Sequence, residues 1–398
     1  MNDVDWLILG GGLHGVHVGA RLIGEAGVEQ ARIRIIDPGD RLLARWRRFT
    51  AETGMSHLRS PGVHHLDVES SSLIKFAGNR RSRRRGVLRG IYNRPSLEIF
   101  NAHCDWVIQR FGLDSRHLRA EALAIEPLSD GVRVTMRSGE VVQTSQLVLA
   151  IGASCRPEWP EWAPRGQSRI SHIFGEPSPA EDGGDSAPEE NILVVGGGIS
   201  AAQLALRLAV GGRTVDLVRR HPSRVHDFDS DPGWLGPKLM PGFRQERCPT
   251  RRRQILQRAR YRGSVTPEVH RALKAAVSSG RVHIHEEDVV ALRTHDDAVE
   301  LALASGQELK GDRLVLATGF AGRRPGGEML DRLAAEFDLP CASCGYPVVD
   351  PWLRWHPRIQ VTGPLAELEL GPVSRNIAGA RRAGDRMMSA IAALRHAA

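Results

Sequence analysis

Three groups of residues in this chain have types and spacings that could do chemistry. The first is Gly10-x-Gly12-x-x-Gly15, which follows the apolar run Val4–Leu9 and precedes Val16–Ile23. Gly10 permits a tight turn, Gly12 lets the backbone approach a pyrophosphate, and Gly15 lets helix and strand pack closely. The helix start presents free N–H groups and a partial positive charge to the phosphates. Asp37 closes the next strand, Ile33–Ile36. An acid there accepts hydrogen bonds from ribose hydroxyls. The second group repeats the first: Asn191–Val195 leads into Gly196-Gly197-Gly198-Ile199-Ser200-Ala201, with Ala201 in the place of the third glycine. Its next strand, Thr214–Val218, ends in Arg219-Arg220 instead of an acid. Arginine suits a 2′-phosphate, so this copy is expected to take NADPH over NADH. A charged hydrogen bond contributes about 1.5–3 kcal/mol, a ~10–100-fold preference. The third group is Cys341-Ala342-Ser343-Cys344, a spacing that can be redox-active. It lies outside both fingerprint helices.

Two glycine-rich strand–turn–helix units need a sheet each to carry them. The expected fold is therefore α/β, with two Rossmann-like dinucleotide-binding domains, the second inserted into the first. At 398 residues the chain can bury two cores. The expected boundaries are 1–175 for the first part of the first domain, 176–190 for a Pro/Gly/Asp/Glu-rich linker, 191–312 for the inserted domain and 313–398 for the return. Leu118–Ser145 alternates with a turn at Gly139 and reads as an antiparallel hairpin, and Gln146–Ala153 as a buried strand. Leu314–Phe320 parallels that strand in the second unit. Ile359–Pro364 followed by a helix over about 375–394 is expected to complete the first domain.

Trp46–Phe76 has poor periodicity and contains Met55-Ser56-His57-Leu58-Arg59-Ser60-Pro61-Gly62-Val63-His64-His65-Leu66-Asp67. It is too apolar for disorder and is expected to fold over a cofactor. His64, His65 and Asp67 lack a further ligand at metal-binding spacing, so no metal is expected. Arg80–Arg85 and the stretch Arg251–Arg260 read most simply as solvated faces; the first could also steer anions. Three consecutive arginines, Arg251–Arg253, cannot all point one way on a helix. The net charge of +8 favours anionic ligands, but no nucleic-acid module or aromatic-interleaved basic stripe accompanies it. No apolar run reaches the ~20 residues of a membrane span, and a strand starting near Val4 leaves no room for a signal peptide. A cytoplasmic protein that binds neither membrane nor nucleic acid is expected.

Together these pieces resemble the flavoproteins with two dinucleotide-binding domains, and among them the NADPH-dependent flavin monooxygenases of the N-hydroxylating branch that oxidises ornithine or lysine. The motifs that carry the resemblance are both fingerprints, Leu316-Ala317-Thr318-Gly319-Phe320, Met55–Leu66, Tyr92-Asn93-Arg94-Pro95, and His226–Phe243 with the arginine-rich helix after it. The resemblance implies that Gly10, Gly12, Gly15 and Asp37 hold FAD and that Gly196, Gly198, Ala201 and Arg219 hold NADPH. It also implies that Met55, His64, Asn93 and Asn376 face the flavin. The implied enzyme consumes NADPH and O2 and hydroxylates a nucleophilic N or S atom of a small molecule through a flavin hydroperoxide. Self-association is compatible with such scaffolds. The family's Asn-Glu pair in the amino-acid pocket is replaced by Asp231-Pro232-Gly233-Trp234, so ornithine or lysine as substrate is not implied. The alternative on the same scaffold is an NAD(P)H-dependent disulfide or quinone reductase using Cys341 and Cys344. A third is a flavin-binding redox sensor.

Overall fold

The computed structural model describes residues 3–78, 86–153, 156–175 and 190–397. The Arg80–Arg85 run and the linker up to residue 189 lie outside the described residues. The chain opens with strand β1 (Val4–Leu9), helix α1 (Leu13–Gly24), β2 (Ile33–Asp37), α2 (Ala44–Thr53) and α3 (Leu97–Arg110). Then come β3 (His117–Arg119), β4 (Ala122–Pro127), β5 (Val132–Met136), β6 (Val141–Leu149) and β7 (Ile170–His172). The β4–β5 hairpin is present as expected. Its partner β6 is one continuous strand: Val141–Thr144 pair antiparallel with β5, and Thr144–Leu149 pair parallel with β1.

The second unit contains β8 (Asn191–Val195), α4 (Ile199–Val210), β9 (Thr214–Val218), α5 (Pro249–Ala259), α6 (Pro267–Ser278) and β10 (Val282–His285). A three-stranded antiparallel sheet follows in β11 (Val289–Thr294), β12 (Val299–Leu303) and β13 (Glu308–Gly311), and then β14 (Arg313–Leu316). The chain ends with α7 (Gly327–Glu336), β15 (Arg354–His356), β16 (Ile359–Val361) and α8 (Ile377–Ala397).

Two parallel-centred sheets result. The first runs β15-β16-β6-β1-β2-β3, with the β4–β5 hairpin attached to β6. The second runs β10-β9-β8-β14-β7. In both, the glycine-rich strand lies inside the sheet, where it is buried on both faces; Leu7, Ile8, Leu193 and Val194 are fully buried. That explains why Trp6–Leu9 and Ile192–Val195 read as continuous apolar runs and not as alternating ones. The return of Ile359–Val361 beside β6 is as expected.

Two domain boundaries need correction. Ile170–His172 and Arg313–Leu316 pair with each other, and β14 pairs with β8, so both belong to the second sheet. The boundary at 175 leaves Ile170–His172 with the first domain, and the boundary at 312 separates Leu314–Phe320 from the second unit in which it is read. These strands are three and four residues long, too short for their periodicity to say which sheet they join.

Candidate functional site

At the first fingerprint the backbone meets the demands of a dinucleotide. Gly10 has φ +114°, and a Cβ there would lie 2.5 Å from the Ala150 carbonyl oxygen. A Cβ on Gly15 would lie 1.8 Å from the Gly10 oxygen. Around Gly12 no atom lies within 4 Å of where a Cβ would sit, so this is the open side of the turn. Gly12 is the N-cap of α1 and supplies no side-chain cap, which leaves the first-turn N–H groups available to phosphate. The Asp37 carboxylate accepts hydrogen bonds from the N–H groups of Gly11 (2.8 Å) and Gly39 (2.9 Å), which aim it along the turn. Its remaining lone pairs fit ribose hydroxyls.

His14, in the first turn of α1, is a site residue that sequence reasoning missed. Its Nδ1 pairs with Thr362 Oγ1 at 2.8 Å, tying the fingerprint to the loop after β16. Burial pushes its pKa down to about 4, so the ring is neutral. Nε2 is buried without a protein partner among the described residues.

The second fingerprint opens onto a cavity of about 1200 Å³. A Cβ on Gly196 would lie 2.4 Å from the Ala317 oxygen and 3.0 Å from the Cβ of the fully buried Ala201, so the turn requires glycine at 196. Gly198 faces space, with Gly263 Cα 3.9 Å from its added Cβ, and caps α4 without a side chain. The cavity wall includes Gly196–Ser200, Arg219, Arg220 and the end of β14 from Ala317 to Phe320. Phe320 stacks on Phe174 with centroids 4.6 Å apart, giving that end an apolar wall. Arg219 is partly committed elsewhere: it donates to Ser223 Oγ (2.5 Å) and Glu286 (2.6 Å). Arg220 is exposed at the same wall.

The candidates for the flavin face lie away from the cavity at the second fingerprint. None of Met55, His64, Asn93 and Asn376 lines this cavity. Met55 packs against the first core. Burial and the charge of Arg381 push the His64 pKa down to about 4. Asn93 turns the chain at φ +47°. Asn376 accepts from the Gly379 N–H (3.1 Å) at the start of α8, as a helix cap does.

The arginine-rich helix overturns its expected role as a solvated face. Arg253 and Arg260, with Arg375 just before α8, converge on Glu367, which is wholly buried. Arg260 donates to Oε2 at 2.9 Å, Arg375 to both oxygens at 2.7 and 3.0 Å, and Arg253 to Oε1. Arg252 meanwhile pairs with Glu369 (2.9 Å), and only Arg251 of the triplet stays largely exposed. Burial works to raise the Glu367 carboxyl, but Arg375, Arg260 and Arg253 hold it below the ordinary carboxylate range. The acid that gathers these arginines lies more than a hundred residues beyond α5, where no local pattern points to it.

Cys341 and Cys344 sit on an exposed turn, and neither lines the cavity. Burial raises the Cys341 thiol, away from a reactive thiolate. Among the described residues no group of three or more His, Cys, Asp or Glu could hold a metal. No described helix is long and apolar enough to cross a membrane.

The sequence profile of a family described as FAD-NAD(P)-binding matches residues 7–154 and 234–321, more than half of the chain. The chain belongs to the FAD-NAD(P)-binding family. The match takes in the first fingerprint and the arginine helix of this FAD-NAD(P)-binding protein, and leaves out the second fingerprint. Pentalenolactone D synthase from Streptomyces exfoliatus is 28% identical over 265 residues, 62% of this chain. The aligned stretch spans 41% of that relative's length. Among solved structures, the ornithine hydroxylase of Pseudomonas aeruginosa superposes with a TM-score of 0.74 at 18% identity, covering 98% of each chain. The L-lysine 6-monooxygenase of Pseudomonas syringae gives 0.74 at 19%, over 99% of each. The bacillithiol disulfide reductase of Staphylococcus aureus gives 0.63 at 15%, again over 99% of each. These likenesses establish a shared two-domain flavoprotein fold.

Proposed function

We propose that this protein is an FAD-dependent, NADPH-consuming monooxygenase that oxidises a nucleophilic N or S atom of a small molecule in the cytoplasm. The observation that carries this reading is the cavity of about 1200 Å³ that opens at Gly196–Ser200, beside a first fingerprint whose open turn suits a second dinucleotide. Cys341 and Cys344, the pair a dithiol reductase on this chain would use, lie outside that wall, and an oxygen-transferring flavoprotein needs no thiol because the cofactor does the redox chemistry. The similarity to pentalenolactone D synthase and to the ornithine hydroxylase and L-lysine 6-monooxygenase structures supports the same reading. Flavin held at the first fingerprint would supply hydride acceptance from NADPH and delivery of one atom of dioxygen to the substrate, the other leaving as water.

The chain's own residues would bind, orient and exclude water. Gly10, Gly12 and Gly15 with the start of α1 would hold the FAD pyrophosphate, and Asp37 its ribose. His14 and Thr362 would brace that turn against the C-terminal loop. Gly196, Gly198 and Ala201 with the start of α4 would hold the NADPH pyrophosphate. Arg220, with Arg219 behind it, would meet the 2′-phosphate. The Phe320–Phe174 stack would keep water from the reacting end.

The test is stopped-flow mixing of FAD-loaded protein, reduced anaerobically with NADPH, with oxygenated buffer. A transient absorbing at shorter wavelength than oxidised flavin is expected. Direct return to the oxidised spectrum, with reduction of added disulfides or quinones, would favour the reductase. The double variant Cys341→Ser/Cys344→Ser is expected to oxidise NADPH at the wild-type rate; loss of turnover in it would point the same way.

A further inference from the structure

Glu367 is one carboxylate held by three guanidinium groups, and all three arginines also line the cavity. One buried carboxylate offsets one cation. The trio therefore leaves two positive charges on a partly desolvated wall, where unmatched charge is costly. Other charged groups bear on the balance: Glu158, Glu287 and Asp288 line the same cavity, against four further arginines nearer the second fingerprint. Arg59 lines the same cavity and spends its Nε and Nη2 on the carbonyls of His226, Asp227 and Phe228 and on Ser264 Oγ. The exposed Asp229 acts on both Arg59 and Arg260 through its charge. Arg59 and Asp229 offset one another, and the four further arginines outnumber the three acids, so the wall keeps its positive excess.

Donors also remain to be used. Among the described residues Arg260 gives the protein only Nη2, and Arg375 only Nε and Nη2. Arg253 donates its Nη2 to the Gly322 carbonyl, which fixes the trio just beyond Phe320 and β14. The carboxyl ends of strands in an open α/β sheet are where ligands bind. NADPH finds its own anion partners at the start of α4 and at Arg219 and Arg220. Its nicotinamide brings no anion to this end.

We infer that the substrate carries an oxyanion, a carboxylate or a phosphate, which docks on Arg260 and Arg375 while Glu367 holds the trio in place. This deepens the proposed function and rests on it only in assigning the anion to the substrate.

The experiment is calorimetric titration of FAD-loaded protein, saturated with NADP+, with inorganic phosphate and separately with malonate. Saturable binding of at least one probe is expected in the presence of NADP+. Arg260→Gln is expected to raise Kd ~10–100-fold, the factor that a charge-assisted hydrogen bond carries. Glu367 keeps Arg253 and Arg375 in that variant. Arg260→Lys, which keeps the charge but loses the planar fork, is expected to recover part of the affinity. Arg251→Gln, exposed on the same helix, is expected to bind as wild type does. The inference is overturned if no saturable binding is seen, if NADP+ abolishes it, or if neither Arg260 variant changes it. This titration reads binding alone, so it stands apart from the oxygen reaction that tests the proposed function.

Discussion

Replacing Gly12 and Gly15 one at a time separates what the first fingerprint does for the fold from what it does for a ligand. Gly12 has φ −77° and ψ −171°, a conformation open to alanine, and an added Cβ meets nothing within 4 Å. Gly12→Ala gains about 0.4–1 kcal/mol by restricting the unfolded chain. It loses a similar amount because alanine is a poor N-cap. Apoprotein stability is therefore expected to stay within about 0.5 kcal/mol of wild type. The same methyl stands where a pyrophosphate would approach the backbone. Losing one charged hydrogen bond costs about 1.5–3 kcal/mol, so FAD affinity is expected to fall ~10–100-fold. Gly15→Ala is the opposite case. Its Cβ would lie 1.8 Å from a backbone oxygen that cannot swing away, so the turn must open. A cost of about 3 kcal/mol is expected even without ligand. The assay is denaturant unfolding of the apoprotein with and without FAD, alongside an FAD titration by fluorescence quenching. At a hundredfold excess over Kd, FAD adds about 2.7 kcal/mol to wild type. After a hundredfold loss of affinity the same FAD concentration adds only about 0.4 kcal/mol. Wild-type FAD affinity in Gly12→Ala would refute the reasoning, as would equal apoprotein instability in the two variants.

Two further outcomes follow. Arg219→Ala and Arg220→Ala are each expected to raise KM for NADPH ~10-fold or more while sparing NADH; equal changes for the two nucleotides would remove the 2′-phosphate assignment. His103 and His172 are buried, and burial pushes each pKa down to about 4 from the usual 6.5. Between those values the unfolded chain takes up protons that the folded one refuses. Stability is therefore complete above about pH 6.5 and falls as pH drops toward 4, by on the order of 3 kcal/mol for each group. Denaturant midpoints at pH 7.5 and 5 check this, and a flat profile would contradict it.

Both fingerprints were legible in the sequence because three of their glycines answer local backbone demands. Gly10, Gly15 and Gly196 would collide with carbonyls within their own strand–turn–helix unit or on the adjacent strand. The continuous apolar runs of β1 and β8 marked inner parallel strands for an equally local reason. Strands β7 and β14 fall outside the expected 191–312 because strands of three and four residues carry too little pattern to set a boundary. The arginines of α5 were misread for a different reason. Their partner Glu367 is remote in the chain, and a carboxylate's pull on distant cations leaves no periodic trace. His14 was visible as a residue but not as a brace, since Thr362 reaches it only after β16 has come back to β6.

That late return bears on synthesis. The second sheet has all its strands once Leu316 has left the ribosome, whereas the first waits for Ile359–Val361 to reach β6. The nascent chain thus holds β1 and β6 together without their last parallel neighbour while the inserted unit is already able to close. Contacts between such distant segments form slowly and expose unpaired strand edges meanwhile. A chain stalled or clipped before β16 would present a finished nucleotide-binding unit tethered to an open, aggregation-prone sheet, which makes the C-terminal segment a checkpoint for release of a competent protein.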